Sequence, residues 1–150
     1  DPESAIADIG SGAGLPGIPL SLLRPDLRVA LIEPLLRRST FLTETVEKLG
    51  ISDRVEVFRG RAEDHHLTYG VVVARAVAPL DRLIEWCNAL RAKGGIILAL
   101  KGRSATDEVA AARGHLDHAR LTADVLSARA HRDAESATVV RLGDRSKDLG

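Results

Sequence analysis

Short apolar runs alternate along this chain with longer segments in which apolar residues recur at helical spacing. The runs end in a polar or glycine-rich turn, and they are continuous rather than alternating, as in strands buried on both faces. They predict strands at residues 4–9, 28–33, 55–59, 71–75 and 96–100. Helical spacing predicts helices at residues 15–23, 35–49, 79–90 and 106–117. Strands alternating with helices predict a doubly wound α/β fold with a mostly parallel sheet.

The last part of the chain changes character. Residues 120–130 and 137–142 form two more polar strand patterns, joined by a charged turn with no helix between them. Two sequential strands of this kind predict a closing antiparallel hairpin, which brings the sheet to seven strands. With 150 residues and 45% hydrophobic content, we expect one domain over residues 1–150.

Composition narrows the classes of protein to consider. The formal net charge is zero, so any basic surface must be local. The single cysteine, Cys87, excludes an intrachain disulfide framework, leaves no zinc-ligand cluster and is predicted to pack inside the helix at 79–90. No run approaches the roughly 20 apolar residues of a membrane span, and nothing resembles a signal peptide. We therefore expect a cytoplasmic protein without a metal or membrane partner.

A glycine-rich loop follows the first predicted strand, and two interpretations of it compete. Residues 12–17 (GAGLPG) fit G-x-G-x-x-G, the dinucleotide fingerprint, which would indicate an NAD(P)-binding oxidoreductase. Read from Asp8, the loop instead fits D-x-G-x-G-x-G, which S-adenosylmethionine enzymes place under the amino-acid end of their cofactor. A carboxylate there repels a pyrophosphate but favours an ammonium and a sulfonium. The charge of Asp8, together with the closing hairpin, favours S-adenosylmethionine.

The ends of the predicted strands supply the other candidate site residues, because ligands of open parallel sheets bind outside the carboxyl ends. Glu33 ends the second strand, where its two oxygens can accept both hydroxyls of a ribose. Ala62 and Glu63 follow the third strand, where they are expected to bracket the adenine. Arg75 ends the fourth strand and is followed by residues 76–79 (AVAP) rather than by the Asn/Asp-Pro-Pro-aromatic turn of enzymes that methylate exocyclic amino groups.

The site therefore has arginines and a lysine but no candidate base. The basic residues expected around it are Arg38, Arg61, Arg75 and Lys101. The histidines, at positions 65, 66, 115, 118 and 131, are predicted to lie on the surface. Such a site suits a target that is already nucleophilic, such as a ring nitrogen with a free lone pair, presented by a polyanion.

The chain resembles the glucose-inhibited division protein B family, the small-subunit ribosomal RNA methyltransferase G enzymes. The resemblance rests on "DIGSGAGLPGIPL" from Asp8, "LIEPLLRRSTFL" from Leu31, "GRAE" from Gly60, "ARAVAPL" from Ala74 and "LALKG" from Leu98. It implies a class I, Rossmann-like methyltransferase fold and transfer of a methyl group from S-adenosyl-L-methionine to N7 of a guanine in 16S ribosomal RNA. The implied partner is the small ribosomal subunit, and a monomer is expected.

The resemblance also implies roles for particular residues. The cofactor-binding residues are Asp8, Gly10, Gly12, Gly14, Leu15, Glu33, Ala62, Glu63 and Arg75. The RNA-binding residues are Arg38, Arg61, Lys101 and Arg103, and the residues at the reaction centre are Arg75, Arg61 and Lys101. Glu33-Pro34 departs from the family's commoner aspartate and small polar residue, and the family's N-terminal helical region is expected to be absent. A non-catalytic ribosome- or RNA-binding module is the remaining alternative, and intact Asp8 and Glu33 speak against it.

Overall fold

The computed structural model describes residues 5–75 and 78–145. These residues form one seven-stranded sheet in the order β3-β2-β1-β4-β5-β7-β6. The strands are β1 (Ala5–Ile9), β2 (Arg28–Ile32), β3 (Val55–Phe58), β4 (Tyr69–Arg75), β5 (Arg91–Lys101), β6 (Leu121–Ala128) and β7 (Ala137–Asp144). All five strands predicted from the apolar runs are present.

The pairing of the strands sets the direction of the sheet. Neighbouring strands from β3 to β5 pair in parallel, whereas β7 pairs antiparallel with both β5 and β6. This arrangement confirms the predicted mostly parallel sheet and its closing hairpin. Asp8 lies opposite Leu31 of β2 and Val73 of β4, so the carboxyl ends of the central strands lie at one edge. We call this the carboxyl edge.

Helices cover both faces of the sheet. They are α1 (Gly17–Leu23), α2 (Leu36–Lys48), α3 (Leu80–Leu90), α4 (Ala105–Ala111) and α5 (Arg113–Ala119). Val29 and Leu31 of β2 pack with α1 and α2, while the alternate residues Ala30 and Ile32 belong to the cluster that includes α3, α4 and α5. Because successive strand residues point to opposite faces, the two groups of helices lie on opposite sides of the sheet. Cys87 is buried in the α3 cluster, which confirms that it packs in the core.

The prediction of one helix at 106–117 is wrong. Ala112, whose backbone angles are φ −85° and ψ 4°, separates α4 from α5. Hydrogen bonding continues through the break, since the Ala112 N–H donates to the Glu108 carbonyl and its own carbonyl accepts from the Leu116 N–H. Ala105, Ala112 and Leu116 keep the helical spacing that was predicted, and all three are buried in the core.

Several predicted boundaries also differ. Helix α1 begins at Gly17, two residues later than predicted, and β5 begins at Arg91, five residues earlier. The register of β4 against β5 shifts between Tyr69 and Val71, and Gly94 adopts a φ of 78° there, so this extension of the sheet has no regular apolar pattern. Ala76 and Val77, which belong to the segment that distinguished this chain from amino-group methylases, lie outside the described residues.

Candidate functional site

The glycine-rich loop after β1 is fastened to the end of β2. The Gly10 N–H donates to the Ile32 carbonyl at 2.9 Å, and the Ser11 hydroxyl donates to the Asp8 carbonyl at 2.8 Å. Gly10, Gly12 and Gly14 have φ values of 65°, 57° and 88°, a region that other residues adopt only with strain. A Cβ at Gly14 would also collide with the Ile18 side chain. The glycines are therefore needed for the path of the loop across the carboxyl edge.

Asp8 lies beneath this loop and is fully buried. Its Oδ2 accepts the N–H of Gly17 at 2.9 Å and so fixes the first residue of α1. Its Oδ1 is buried and has no hydrogen-bond partner in the described part of the chain. Burial raises the pKa of Asp8 to about 6, against the lowering effects of the Gly17 N–H and of the Arg75 guanidinium. Asp8 thus presents a negatively charged oxygen that can still accept a hydrogen bond and that lies close to Arg75.

Glu33 is also buried, and both of its oxygens contact the backbone. Oε2 accepts the N–H of Gly12 at 2.9 Å, and Oε1 accepts the N–H of Leu35 at 3.0 Å. The carboxylate therefore joins the glycine-rich loop to the start of α2, a role that the sequence did not indicate. Each oxygen can accept a further hydrogen bond, so a ribose contact remains a prediction.

A cleft of about 330 Å³ opens at the carboxyl edge between the loops that follow β1, β2 and β3. Its lining residues are Ile9, Gly10, Ile32, Pro34, Gly60, Arg61, Ala62, Glu63 and Trp86. Four of them, Gly10, Arg61, Ala62 and Glu63, were predicted site residues. Ala62 and Glu63 lie in a single 3₁₀ turn, Ala62–Asp64, which places them side by side on one wall.

The sequence analysis missed several lining residues of the cleft. Ile9 and Ile32 are the last residues of their strands and supply an apolar floor. Trp86 comes from α3, far along the chain from the loops, and its spacing from the buried Leu83 and Leu90 was the signal that could have placed it near the core face. The cleft is thus lined by apolar side chains together with Arg61 and Glu63.

Four predicted arginines are exposed in segments at the carboxyl edge, and one of them, Arg61, lines the cleft. Arg75 ends β4, Arg61 precedes the 3₁₀ turn, Arg38 lies in the first turn of α2, and Arg103 follows β5. Within residues 5–75 and 78–145, none of the four pairs with a carboxylate within 4.0 Å. These predicted residues therefore lie at one edge without an ion pair among the described residues, although the charge of Arg75 acts on Asp8.

Lys101 differs from these arginines. Its side chain is only 6% exposed, and its Nζ contacts Glu108 at 2.8 Å and donates to the Ala78 carbonyl at 2.6 Å. Glu108 in turn accepts the N–H of Leu80, the first residue of α3. The pair with Lys101 helps to hold the pKa of Glu108 below its ordinary value, against the raising effect of burial. The geometry gives Lys101 a structural task, and contact with RNA stays a prediction that requires this pair to open.

The remaining predicted cofactor residues lie beside the cleft rather than in its lining. Gly12 and Gly14 shape the loop, and Leu15 is 40% exposed at its far end. The described residues contain no group of three or more histidine, cysteine, aspartate or glutamate side chains placed to hold a metal ion. None of the described helices has the length and apolar character that a membrane span requires. His65, predicted to lie on the surface, is instead partly buried between two aromatic rings.

Comparison with solved structures identifies the fold. The O-methyltransferase NcsB1 of neocarzinostatin biosynthesis, solved with S-adenosylmethionine and a naphthoic acid, matches with a TM-score of 0.74 and 18% identity, over 97% of this chain and 50% of that one. A ribosomal protein L11 methylase of Lactobacillus delbrueckii matches with a TM-score of 0.70 and 17% identity, over 94% and 70%. The predicted class I, Rossmann-like methyltransferase fold is confirmed.

Comparison with curated sequences identifies closer relatives. The ribosomal RNA small subunit methyltransferase G of Kineococcus radiotolerans is 52% identical over 95% of this chain and 57% of its own length. That of Thermobifida fusca is 51% identical over 91% of this chain and 59% of its own length. The chain thus spans less than three fifths of these relatives. A family model described as rRNA small subunit methyltransferase G (GidB) matches residues 1–136. The chain therefore belongs to the rRNA small subunit methyltransferase G family.

Proposed function

We propose that this protein transfers a methyl group from S-adenosyl-L-methionine to N7 of a guanine in 16S ribosomal RNA of the small subunit. The observation that carries the proposal is the apolar cleft at the carboxyl edge, which is lined by the exposed Arg61, with Arg75 at the end of the neighbouring strand β4. Membership of the family supports the same activity. The two arguments are independent, since one rests on geometry and the other on sequence similarity.

The residues of the cleft fit S-adenosylmethionine. The apolar walls formed by Ile9, Ile32 and Trp86 suit an adenine ring, and the volume falls within the roughly 300–1,000 Å³ typical of small-molecule sites. Glu33 lies between the cleft residues Ile32 and Pro34, where its free lone pairs can accept ribose hydroxyls. The buried, unpartnered Oδ1 of Asp8 supplies negative charge under the glycine-rich loop for the cationic end of the cofactor.

The exposed arginines suit an RNA substrate. Arg38 lies in the first turn of α2, a helix that begins without a side-chain cap and without an acid in that turn. A cation there is unfavourable to the helix dipole, whereas a phosphate would be favoured by both the dipole and the arginine. Arg61 lines the cleft, and the exposed Arg103 follows β5 at the same edge of the sheet. These residues are proposed to contact phosphates.

The reaction needs positioning more than proton transfer. When bound, S-adenosylmethionine supplies a methyl group on a sulfonium, which a ring nitrogen with a free lone pair accepts without losing a proton. Arg75 is proposed to hold O6 of the guanine or its phosphate and to leave N7 free, because arginine reads the O6 and N7 edge of guanine. Its charge also acts on Asp8, which supports a proposed position close to both the cofactor and the guanine. The protein contributes orientation and a fixed electrostatic environment.

Methylation of unmodified small subunits with labelled S-adenosylmethionine, followed by mapping of the labelled base, tests the proposal. Arg75→Ala should lower the single-turnover rate at least tenfold, about 1.4 kcal/mol of transition-state stabilisation, whereas Arg113→Ala on α5 should not. Label at an exocyclic nitrogen, or no label, would contradict the proposed reaction. A matching rate for folded Arg75→Ala would contradict the role of Arg75 alone.

Calorimetric titrations separate the alternatives. Binding of S-adenosylhomocysteine without binding of NADH supports the methyltransferase and excludes the oxidoreductase. Binding of RNA without either ligand would instead support a non-catalytic ribosome-binding module. We further propose that residues 1–150 act as one methyltransferase domain in a cytoplasmic monomer, and light scattering of the purified protein tests the monomer.

A further inference from the structure

The loop between β3 and β4, residues 59–68, forms one wall of the cleft through Gly60, Arg61, Ala62 and Glu63. Its backbone is held by the Gly60 N–H, which donates to the backbone carbonyl of Glu33 at 3.3 Å. Two more backbone hydrogen bonds run from the Asp64 N–H to the Arg61 carbonyl and from the His65 N–H to the Ala62 carbonyl. The latter two bonds lie within the turn itself. They shape the turn but do not attach it to the sheet. Its position therefore depends on the Gly60 bond and on side chains, among them Ala62, which is buried in the core cluster that includes α3.

The side chains of Phe58, His65 and Tyr69 attach the turn to the sheet, and we call them the aromatic cluster. Phe58 ends β3, Tyr69 begins β4, and His65 follows the 3₁₀ turn directly. The His65 ring meets Phe58 edge to face with centroids 4.6 Å apart, and it stacks on Tyr69 at 5.6 Å with 19° between the planes. Phe58 also lies under Gly60, where a Cβ would stand 2.5 Å from its ring. The cluster thus connects both strand ends to the wall of the cleft.

One hydrogen bond defines the protonation state of this cluster. His65 Nε2 and the Tyr69 hydroxyl oxygen are 2.5 Å apart. Burial raises the pKa of Tyr69 to about 12, so its hydroxyl keeps its hydrogen and needs an acceptor. In the described residues the hydroxyl has no other partner, and Nε2 of a neutral His65 that carries its hydrogen on Nδ1 can accept the hydroxyl hydrogen. A protonated His65 would present a second donor to that hydroxyl and leave its hydrogen unpaired.

We propose that neutral His65 is a positioning residue for the cofactor, because its bond to Tyr69 holds Ala62 and Glu63 in the wall of the cleft. The inference rests on the proposed function in taking the cleft as the adenine side of the S-adenosylmethionine site. Protonation of His65 releases the turn, and the affinity for the cofactor falls as the pH is lowered.

The surroundings of His65 favour its neutral form. Burial lowers the pKa of His65, and His66 in the same loop lowers it further, while Glu56 on β3 raises it. Tyr69 on β4 faces it as an uncharged group. Since folding lowers the pKa of this base, the bond is complete above the ordinary histidine pKa of 6.5 and is lost as the pH falls through the lower folded value.

The test is calorimetric titration of S-adenosylhomocysteine between pH 5 and pH 8 into wild type, His65→Gln, His65→Ala and Tyr69→Phe, with His131→Gln, in the turn between β6 and β7, as the control. At pH 7.5, His65→Ala should bind about threefold to tenfold more weakly than wild type, the range for one hydrogen bond. His65→Gln, whose amide oxygen can accept the tyrosine hydrogen without titrating, should restore affinity. Its affinity, like that of Tyr69→Phe, should also fall less than that of wild type at low pH. Asp8 titrates in the same range but is common to all variants, so the difference between curves belongs to His65.

Amide hydrogen exchange of residues 61–65 without ligand provides a second readout. Exchange in wild type relative to His65→Gln should rise as the pH is lowered from 7 to 5, while His131→Gln follows wild type. Equal affinities and equal exchange in wild type, His65→Ala and His65→Gln would overturn the positioning role. If wild type binds no S-adenosylhomocysteine but the exchange difference is present, the proposed function fails while the effect of His65 on the turn stands.

Discussion

Replacing Asp8 by asparagine removes one buried charge while keeping the shape of the side chain. Asp8 is fully buried, and only Oδ2 has a hydrogen-bond partner, the Gly17 N–H. An asparagine oxygen can accept the same N–H, so the start of α1 is kept. The substitution therefore isolates the cost of holding a carboxylate in this position.

The magnitude follows from the pKa of Asp8. Burial raises it from 3.8 to about 6, which corresponds to about 3 kcal/mol between the two protonation states. Because folding raises the pKa, the folded protein binds the proton more tightly than the unfolded chain does. The stability that the protonated carboxyl contributes is complete below its ordinary pKa of 3.8 and is lost as the pH rises through about 6. Asparagine does not titrate. The difference in unfolding free energy, Asp8→Asn minus wild type, should therefore rise by about 3 kcal/mol between acidic pH and pH 8.

Urea unfolding followed by the fluorescence of the single tryptophan, Trp86, measures this difference at each pH. If burying the new amide hydrogens costs stability equally at every pH, this cost shifts the whole curve of the difference in unfolding free energy against pH and leaves its slope unchanged. Asp26→Asn is the matched control, because Arg24 lowers the pKa of Asp26 and its difference curve must slope the opposite way. A flat or falling difference for Asp8→Asn would refute the reasoning. The same variant should bind S-adenosylhomocysteine more weakly at pH 8, since the ammonium of the ligand loses its counter-charge.

Three further predictions concern residues around the same loop. Glu33→Ala should weaken S-adenosylhomocysteine binding by about 1–3 kcal/mol and also lower the unfolding free energy, and an unchanged calorimetric affinity would exclude the ribose contact. Gly10→Val should abolish binding, whereas Gly50→Val, at the same φ of 65° but far from the loop, should cost stability and leave the affinity unchanged. Lys101→Ala should lower the unfolding free energy by about 1–3 kcal/mol, because Glu108 loses its charged partner. A stability equal to that of wild type would show that the pair is not structural. The slope of RNA affinity against salt should become shallower for Lys101→Ala only if the lysine also contacts a phosphate.

The strands could be predicted because burial on both faces leaves a direct record in the sequence. β1, β2 and β4 each contain a nearly continuous apolar run, and their ends supply the predicted site residues. The start of β5 left no such record. Arg91 enters the sheet because its guanidinium donates to the Gly95 carbonyl and contacts Asp144 of β7, a residue 53 positions away. A pairing fixed by distant partners has no local pattern to detect.

The site residues show the same limit in another form. Asp8, Glu33 and Lys101 all follow the rule that polar groups gather at the carboxyl ends of parallel strands. The sequence could not indicate which atoms their side chains contact, because that depends on the path of the loops. Glu33 contacts Gly12 only because the glycine-rich loop crosses β2, and Lys101 contacts Glu108 only because α4 turns back beneath it. The positions of these three residues in the fold were therefore predictable, while the exposure of their side chains and the atoms they contact were not.

A net charge of zero is compatible with an RNA-binding edge because the pairing of charges is uneven. Away from the carboxyl edge, arginines contact aspartates, as in Arg24 with Asp26, Arg141 with Asp124 and Arg145 with Asp117. At the carboxyl edge, the four arginines described above lack such partners among the described residues, although the exposed Glu63 and Asp64 offset part of their charge. A cancelled charge contributes little to the field at a distance, whereas an unpaired one contributes fully. These exposed arginines are therefore free of ion pairs with described residues, and they can contact the phosphates of the proposed RNA substrate.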